Sequence, residues 1–250
     1  EIVVLDNYFF TTDYQRAIKQ KGCRLVCIDD MHDKHYVADV VINHGQINPV
    51  LFDVESYTKL CLGFDWALLR KPFLEAAKKK RISSDKIEKV VICFGGSDIH
   101  DITGYFVNQA LRICAVSSVT AVVGDAYTPH SLRAKDDRLI YRSRLTAQDM
   151  ADLFCNSDLV ICSASSVCIE ALACGAKVAA GWYVDNQVDF YNLLLSNNWV
   201  IGLGNVEQPS VDLCNVDLLR SSNTNMINYV QRRYTSFFRG LADGCYLREA

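Results

Sequence analysis

The sequence has 250 residues, of which 50% are hydrophobic and 22% charged, with only four prolines. This composition is that of a folded globular chain, and it excludes collagen-like, disordered and low-complexity proteins. The formal net charge of −3 predicts neither nucleic acid nor a membrane surface as a partner. No apolar run approaches the ~18 residues of a membrane span. The chain begins with Glu1 rather than Met, so we expect it to start after processing or part-way through a domain.

The pattern of the first part predicts short buried strands joined by one helix. Strands are expected at Ile2–Leu5, Arg24–Ile28 and Ala38–Asn43. The helix should begin with a capping box formed by Thr12 and Gln15, and Gly22 should end it. A polar, Lys-rich stretch follows, which indicates a linker. We therefore predict a first lobe over residues 1–75, a linker over 76–88 and a second lobe over 89–250.

The second lobe alternates regularly between strands and helices. The expected strands are Lys89–Phe94, Val119–Val123, Arg138–Tyr141, Asp158–Cys162 and Lys177–Trp182. The expected helices are Ile102–Ala115, Ala147–Asn156, Val167–Cys174 and Val188–Ser196. This alternation predicts an α/β fold, a Rossmann-like parallel sheet covered by helices on both faces. Because such sheets bind ligands beyond the carboxyl ends of their strands, the loops after the strands are the candidate sites.

Three of these loops carry small or polar residues that could bind a ligand. Gly95 and Gly96 leave room for a phosphate to approach the backbone, although a tight turn explains them equally well. Ser165 and Ser166 precede a helix that carries Glu170, so they form either a helix cap, which the residues alone favour, or an anion-binding turn. In the second case Glu170 could accept hydrogen bonds from a diol. Asn186 and Gln187 could hold sugar hydroxyls or serve as turn residues.

No metal centre or cofactor is expected. Residues 29–35 contain three acids and two histidines, but their spacing fixes no ligand geometry, and a polar loop is the favoured interpretation. The eleven cysteines form no Cys-x-x-Cys pair and lie mostly in apolar segments. They are expected to be reduced thiols used as small hydrophobic side chains, which favours a cytoplasmic protein.

Several stretches occur in the order found in one known family. The chain resembles the UDP-diacetamido-trideoxy-altropyranose hydrolases of pseudaminic acid biosynthesis, which are related to the transferase that adds N-acetylglucosamine to lipid I. The matching stretches are Leu5–Tyr8, Asp29–Asp30, Cys61–Arg70, Cys93–Asp98, Ser163–Leu172, Asp185–Gln187 and Ala242–Gly244. The resemblance implies a GT-B-like fold of two Rossmann-like lobes, here with an incomplete N-terminal lobe. It also implies a UDP-sugar as the small-molecule partner and defines no oligomeric state.

The resemblance further implies roles for particular residues. The diphosphate would be bound by Gly95, Gly96, Ser97, Ser165 and Ser166. Glu170 would accept hydrogen bonds from the ribose hydroxyls, and Leu145 and Met150 would bound the uracil. Asn186 and Gln187 would face the sugar, and Asn186 and Tyr8 are the candidate catalytic residues.

The family has an early Gly-x-Gly-His loop, whose His is the expected catalytic base, and this sequence has no such loop. Three explanations stay open: the chain is a fragment, the missing half lies on another polypeptide, or catalysis has been lost. The activity expected from the resemblance is hydrolysis of the UDP-sugar at C1 with inversion. The alternatives are a GT-B glycosyltransferase that uses a UDP-sugar donor and a non-catalytic UDP-sugar-binding protein.

Overall fold

The computed structural model describes residues 1–79, 86–95, 98, 100–125, 127 and 136–214. These residues form two compact units, which divide between Leu68 and Leu69. We call residues 1–68 the first unit and the described residues from 69 onward the second unit. Within this part of the chain, no helix is long and apolar enough to cross a membrane.

The first unit is built on a four-stranded parallel sheet. Its elements are β1 (Ile2–Asp6), α1 (Thr12–Gln20), β2 (Arg24–Ile28), β3 (His35–Tyr36), β4 (Val40–Asn43), β5 (Asp53–Val54) and β6 (Lys59–Leu62). The sheet order is β1-β2-β4-β6, and β3 pairs separately with β5. All of these pairs are parallel, so the strands of the main sheet end at one common edge. The three strands predicted from the sequence are present.

The start of α1 differs from the prediction. The cap is Thr11, whose side chain accepts a hydrogen bond from the Tyr14 N–H. The hydroxyl of Thr12 instead donates to the His35 carbonyl at 2.7 Å. Gln15 is buried, and its side-chain oxygen accepts from the Val37 N–H at 3.1 Å. The predicted capping box is therefore wrong, because both of its members bind the neighbouring chain segment. Gly22 follows the helix with a φ of +77°, as predicted.

The second unit is built on a six-stranded parallel sheet. Its elements are α2 (Lys71–Ala77), β7 (Lys89–Cys93), α3 (Ile102–Leu111), β8 (Ser118–Val122), β9 (Leu139–Arg142), α4 (Ala147–Cys155), β10 (Leu159–Ser163), α5 (Ser166–Ala173), β11 (Lys177–Trp182), α6 (Val188–Ser196) and β12 (Ile201–Asn205). The strand order is β12-β11-β10-β7-β8-β9. The five predicted strands and the four predicted helices are all present, although α3 ends at Leu111 rather than Ala115.

The central strands of this sheet are buried on both faces. Adjacent residues of a strand face opposite sides of the sheet, and Val90 and Val91 of β7 and Val160 and Ile161 of β10 are at most 2% exposed, as expected of a parallel sheet covered by helices. Six cysteines are buried in the two units, at positions 27, 61, 93, 162, 168 and 174.

One helix of the second unit precedes its sheet in the chain. In α2, Phe73 is fully buried, and its ring centroid lies 6.2 Å from that of Phe154 in α4. The sequence did not predict this helix, although Pro72 in its first turn is a signal for a helix start. Residues 80–85 of the predicted linker lie outside the described residues, and the predicted lobe boundaries stay a prediction.

Candidate functional site

The second unit has a topological switch point between β7 and β10. The chain runs outward from β7 through β8 and β9, and it runs outward in the other direction from β10 through β11 and β12. The strands β7 and β10 are adjacent and parallel, with Cys93 in register with Cys162. Ligands of open α/β sheets bind beyond the carboxyl ends of the strands at such a point. The turn after β7 and the turn after β10 therefore lie side by side where a ligand is expected.

The turn after β7 keeps its backbone open at Gly95. This glycine has a φ of +98°, a region that side chains rarely adopt. A Cβ atom placed there would lie 3.7 Å from the Tyr183 hydroxyl, which is an ordinary contact. Tyr183 itself donates to the Phe94 carbonyl at 3.1 Å and so fixes the turn. Gly96 and Ser97, which were predicted to bind the same phosphate, lie outside the described residues.

The helix that follows this turn has its N-terminus occupied by protein carboxylates. The two oxygens of Asp98 accept from the N–H groups of Ile102 and Thr103 at 2.8 and 2.6 Å. Asp101 accepts from the Gly104 N–H at 3.0 Å. These acids satisfy the first N–H groups of α3 and neutralise the positive end of its dipole. A phosphate therefore gains little from α3.

The helix after β10 begins differently. Ser165 is its N-cap residue, but the Ser165 side chain makes no capping hydrogen bond. The Ser165 hydroxyl instead lies 3.1 Å from the hydroxyl of Ser163. Ser166, the first residue of α5, is exposed. The sequence favoured a capping role for these serines, but the Ser165 side chain does not have that role. The positive end of the α5 dipole is left for an anion, which helix N-termini bind well.

Glu170 lies in the second turn of α5 and is 5% exposed. Its carboxylate is bound by Arg70, whose Nε and Nη2 atoms donate to the two oxygens at 2.7 and 2.9 Å. The hydrogen bonds to Glu170 raise the pKa of Arg70 above its usual value. Burial raises the pKa of the Cys93 thiol to about 12, and Cys162 and Glu170 add to that effect.

The other predicted residues of the second unit also follow strands at the same edge of the sheet. Asn186 and Gln187 lie in a short 3-10 turn after β11, and both are half-buried. The Gln187 side-chain oxygen accepts from the Tyr183 N–H at 3.1 Å, so this residue stabilises its own turn. Leu145 is half-buried after β9, and Met150 is buried in α4. Sequence reasoning missed Arg70, because nothing in the sequence signals a contact across 100 positions.

The first unit has its own cluster of polar side chains beyond the ends of its strands. Tyr8 follows β1, is 60% exposed, and donates to Asp30 at 2.8 Å. Asp29 accepts from the Tyr36 hydroxyl, the Asn43 amide and a backbone N–H. Asp30 and Asp29 thus bind different partners.

His35 of the segment 29–35 binds acids that lie outside this segment. The two ring nitrogens of His35 lie 2.9 Å from Asp53 and 3.2 Å from Glu55, and these hydrogen bonds raise the pKa of His35. Within the described ranges, no group of three or more His, Cys, Asp or Glu side chains is placed to hold a metal ion.

The comparisons with known proteins add to this geometry. No family model matches the sequence. A relative from Campylobacter jejuni, named UDP-2,4-diacetamido-2,4,6-trideoxy-beta-L-altropyranose hydrolase, is 27% identical over 191 residues, which are 75% of this chain and 68% of the relative. A Methanocaldococcus jannaschii protein described as uncharacterized is 24% identical over 207 residues, 77% of this chain and 42% of that protein.

Solved structures of glycosyltransferases share the fold. One is the spinosyn rhamnosyltransferase SpnG complexed with thymidine diphosphate. The match covers 94% of this chain and 69% of the SpnG chain, with a TM-score of 0.61 and 10% sequence identity. The calicheamicin glycosyltransferase CalG4 gives the same coverage, TM-score and identity. The chain has the GT-B-like fold of Rossmann-like lobes that was predicted. It also resembles the UDP-diacetamido-trideoxy-altropyranose hydrolase, as its motifs indicated.

Proposed function

We propose that the second unit binds a UDP-sugar at the switch point between β7 and β10. The observation that carries this proposal is the pairing of two features at adjacent strand ends: the glycine backbone at Gly95 and the start of α5, where the N-cap side chain of Ser165 makes no capping hydrogen bond. A diphosphate needs N–H donors and a positive local field, and these two features supply both. We place the phosphate at α5 rather than α3, because Asp98 and Asp101 already accept from the first N–H groups of α3.

The remaining predicted residues keep the roles that the resemblance implies for them. Glu170 accepts from the ribose, while Leu145 and Met150 bound the uracil. Ser165 and Ser166, with Gly95, Gly96 and Ser97, line the diphosphate. Asn186 and Gln187 face the sugar, and Asn186 and Tyr8 are the catalytic candidates. The resemblance to the Campylobacter jejuni hydrolase supports this assignment.

The reaction we propose is hydrolysis of a UDP-linked diacetamido-trideoxy sugar at C1, as a step of pseudaminic acid biosynthesis in the cytoplasm. A water oxygen forms the new bond to C1, and the C1–O bond to the phosphate breaks with inversion. The leaving UDP takes the bonding electron pair, and the water gives up its proton to a base. The negative charge that develops on the diphosphate is stabilised by the N–H groups at the start of α5. The base stays unassigned among the residues of this chain.

The proposal is tested with the full chain and a panel of UDP-sugars that includes UDP-linked diacetamido-trideoxy hexoses. We expect calorimetry to detect UDP binding and a coupled assay to detect UDP released without any acceptor. UDP release that requires an added alcohol or lipid would favour a glycosyltransferase, in line with the glycosyltransferases that share the fold. Binding with no turnover would favour a non-catalytic UDP-sugar-binding protein. A chain that does not bind UDP contradicts the proposed site.

A further inference from the structure

Arg70 and Glu170 form a pair in which the two partners differ in burial. The side chain of Glu170 is 6% exposed, whereas that of Arg70 is 53% exposed. A buried carboxylate that loses its partner is left as an uncompensated charge, which is strongly unfavourable. Arg70 is therefore the group that holds this carboxylate in a defined place.

The geometry of the pair leaves acceptors unused. Each carboxylate oxygen carries two lone pairs, and Arg70 takes one from each oxygen through its planar fork. Each oxygen has a second lone pair, and a ligand that reaches the small exposed part of this side chain would donate to it. The two hydroxyls of a vicinal diol are two such donors on adjacent carbons, and a ribose carries them at its 2′ and 3′ positions.

Packing restrains the arginine as well. Its Cζ atom lies 5.0 Å from the centre of the Phe73 ring, and Phe73 is fully buried between α2 and its neighbours. A guanidinium stacked on an aromatic ring has fewer orientations than a free one. The orientation of the fork, and with it that of the carboxylate, is therefore set before any ligand binds.

We propose that Arg70 is a positioning residue for nucleotide recognition, which orients the Glu170 carboxylate so that its two remaining lone pairs accept from the 2′ and 3′ hydroxyls of a ribose. This inference rests on the UDP site proposed above and deepens it. Arg70 acts through Glu170, and the pair makes the site selective for ribonucleotides over 2′-deoxyribonucleotides.

The test compares UDP with 2′-deoxy-UDP by calorimetry on the full chain. Wild-type protein should bind UDP about tenfold or more tightly than 2′-deoxy-UDP, because one hydrogen bond to a charged acceptor is lost. In Arg70→Lys this ratio should fall close to one, since an ammonium group cannot bind both oxygens as a planar fork does. The ratio does not depend on the folded fraction, because both ligands meet the same protein. Arg70→Gln, which also lacks the fork, replaces Arg70→Lys if the latter does not fold.

Arg138 provides the matched control. It binds the two oxygens of Asp136 with the same kind of fork, at 3.0 and 2.8 Å, just before β9 and so at the opposite edge of the sheet. Arg138→Lys should leave the ratio unchanged. An unchanged ratio in the Arg70 variants overturns the positioning role, and equal binding of both nucleotides by wild type overturns the ribose contact on which it depends. If wild type binds neither nucleotide, the proposed function fails first and the inference falls with it.

Discussion

Gly95 has a backbone conformation that would strain any side chain placed there. Gly95→Ala should destabilise the protein by about 1–2 kcal/mol, the cost of a left-handed backbone in a residue with a Cβ. The new methyl group meets only the Tyr183 hydroxyl at an ordinary 3.7 Å, so the protein itself has room for it. A ligand bound at the turn would collide with this methyl group. We therefore expect UDP affinity measured by calorimetry to fall about tenfold, as for one lost charge-assisted hydrogen bond.

Gly204 is the control for this substitution. It has a φ of +69° in the same unit, and a Cβ there would meet nothing within 4 Å. Gly204→Ala should show a similar loss of thermal stability with unchanged UDP affinity. If both variants lose affinity equally, the effect comes from destabilisation, and Gly95 is not part of a phosphate site.

Glu170 illustrates what single residues in a sequence can and cannot predict. Its position, four residues after Ser166, predicted a carboxylate near the start of a helix. The structure agrees, because α5 begins at Ser166. Its partner could not be predicted, because Arg70 meets it only through the packing of α2 on α5. The roles of Asn186 and Tyr8 in catalysis stay predictions.

Helices α3 and α5 both follow central strands of the sheet, yet only α3 has acids at its start. Asp98→Ala removes the acceptor of two backbone N–H groups at the start of α3, and we expect a loss of about 1–2 kcal/mol, similar to that of removing an N-cap side chain. UDP affinity should not change, since the phosphate is assigned to α5. Urea denaturation and calorimetry measure the two quantities.

Asp158 provides the matched control for the Asp98→Ala substitution. It also accepts from two backbone N–H groups, those of Glu88 and Lys89 at 3.0 and 2.9 Å, but at the opposite edge of the sheet. Asp158→Ala should likewise lower the urea midpoint and leave UDP binding unchanged. If Asp98→Ala alone weakens UDP binding, the start of α3 contributes to the phosphate site, contrary to the proposal.

Elements were predictable where apolar runs are long and bounded by turn residues. The strands β7, β10 and β11 satisfy this condition, and they were predicted to within two residues of their observed ends. The strand β12 was missed because Gly202 and Gly204 interrupt its apolar pattern. The cap of α1 was misplaced by one residue, because Thr11 and Thr12 are equally good capping residues and only tertiary contacts decide between them.

At the scale of the whole molecule, strand–helix alternation was sufficient to predict parallel sheets and the fold class. Two glycosyltransferases at 10% identity reach a TM-score of 0.61, which shows how little of the sequence this fold constrains. The division after Leu68 was beyond such reasoning. It depends on the packing of the short helix α2 against α4 and α5, and neither the length nor the composition of α2 indicates that packing.

The packing of α2 determines which fragments of the chain should fold. A fragment that begins at residue 89 keeps all six strands of the second sheet and both turns of the site, but it lacks Phe73 and Arg70. Losing a fully buried Phe costs about 3–5 kcal/mol and stranding the Glu170 carboxylate costs a similar amount, against a usual total stability of about 5–15 kcal/mol. We therefore expect residues 69–250 to give a cooperative thermal transition by circular dichroism and residues 89–250 to give none. Equal transitions for the two fragments would mean that α2 is dispensable, and that a nucleotide-binding module can be excised from its first strand onward.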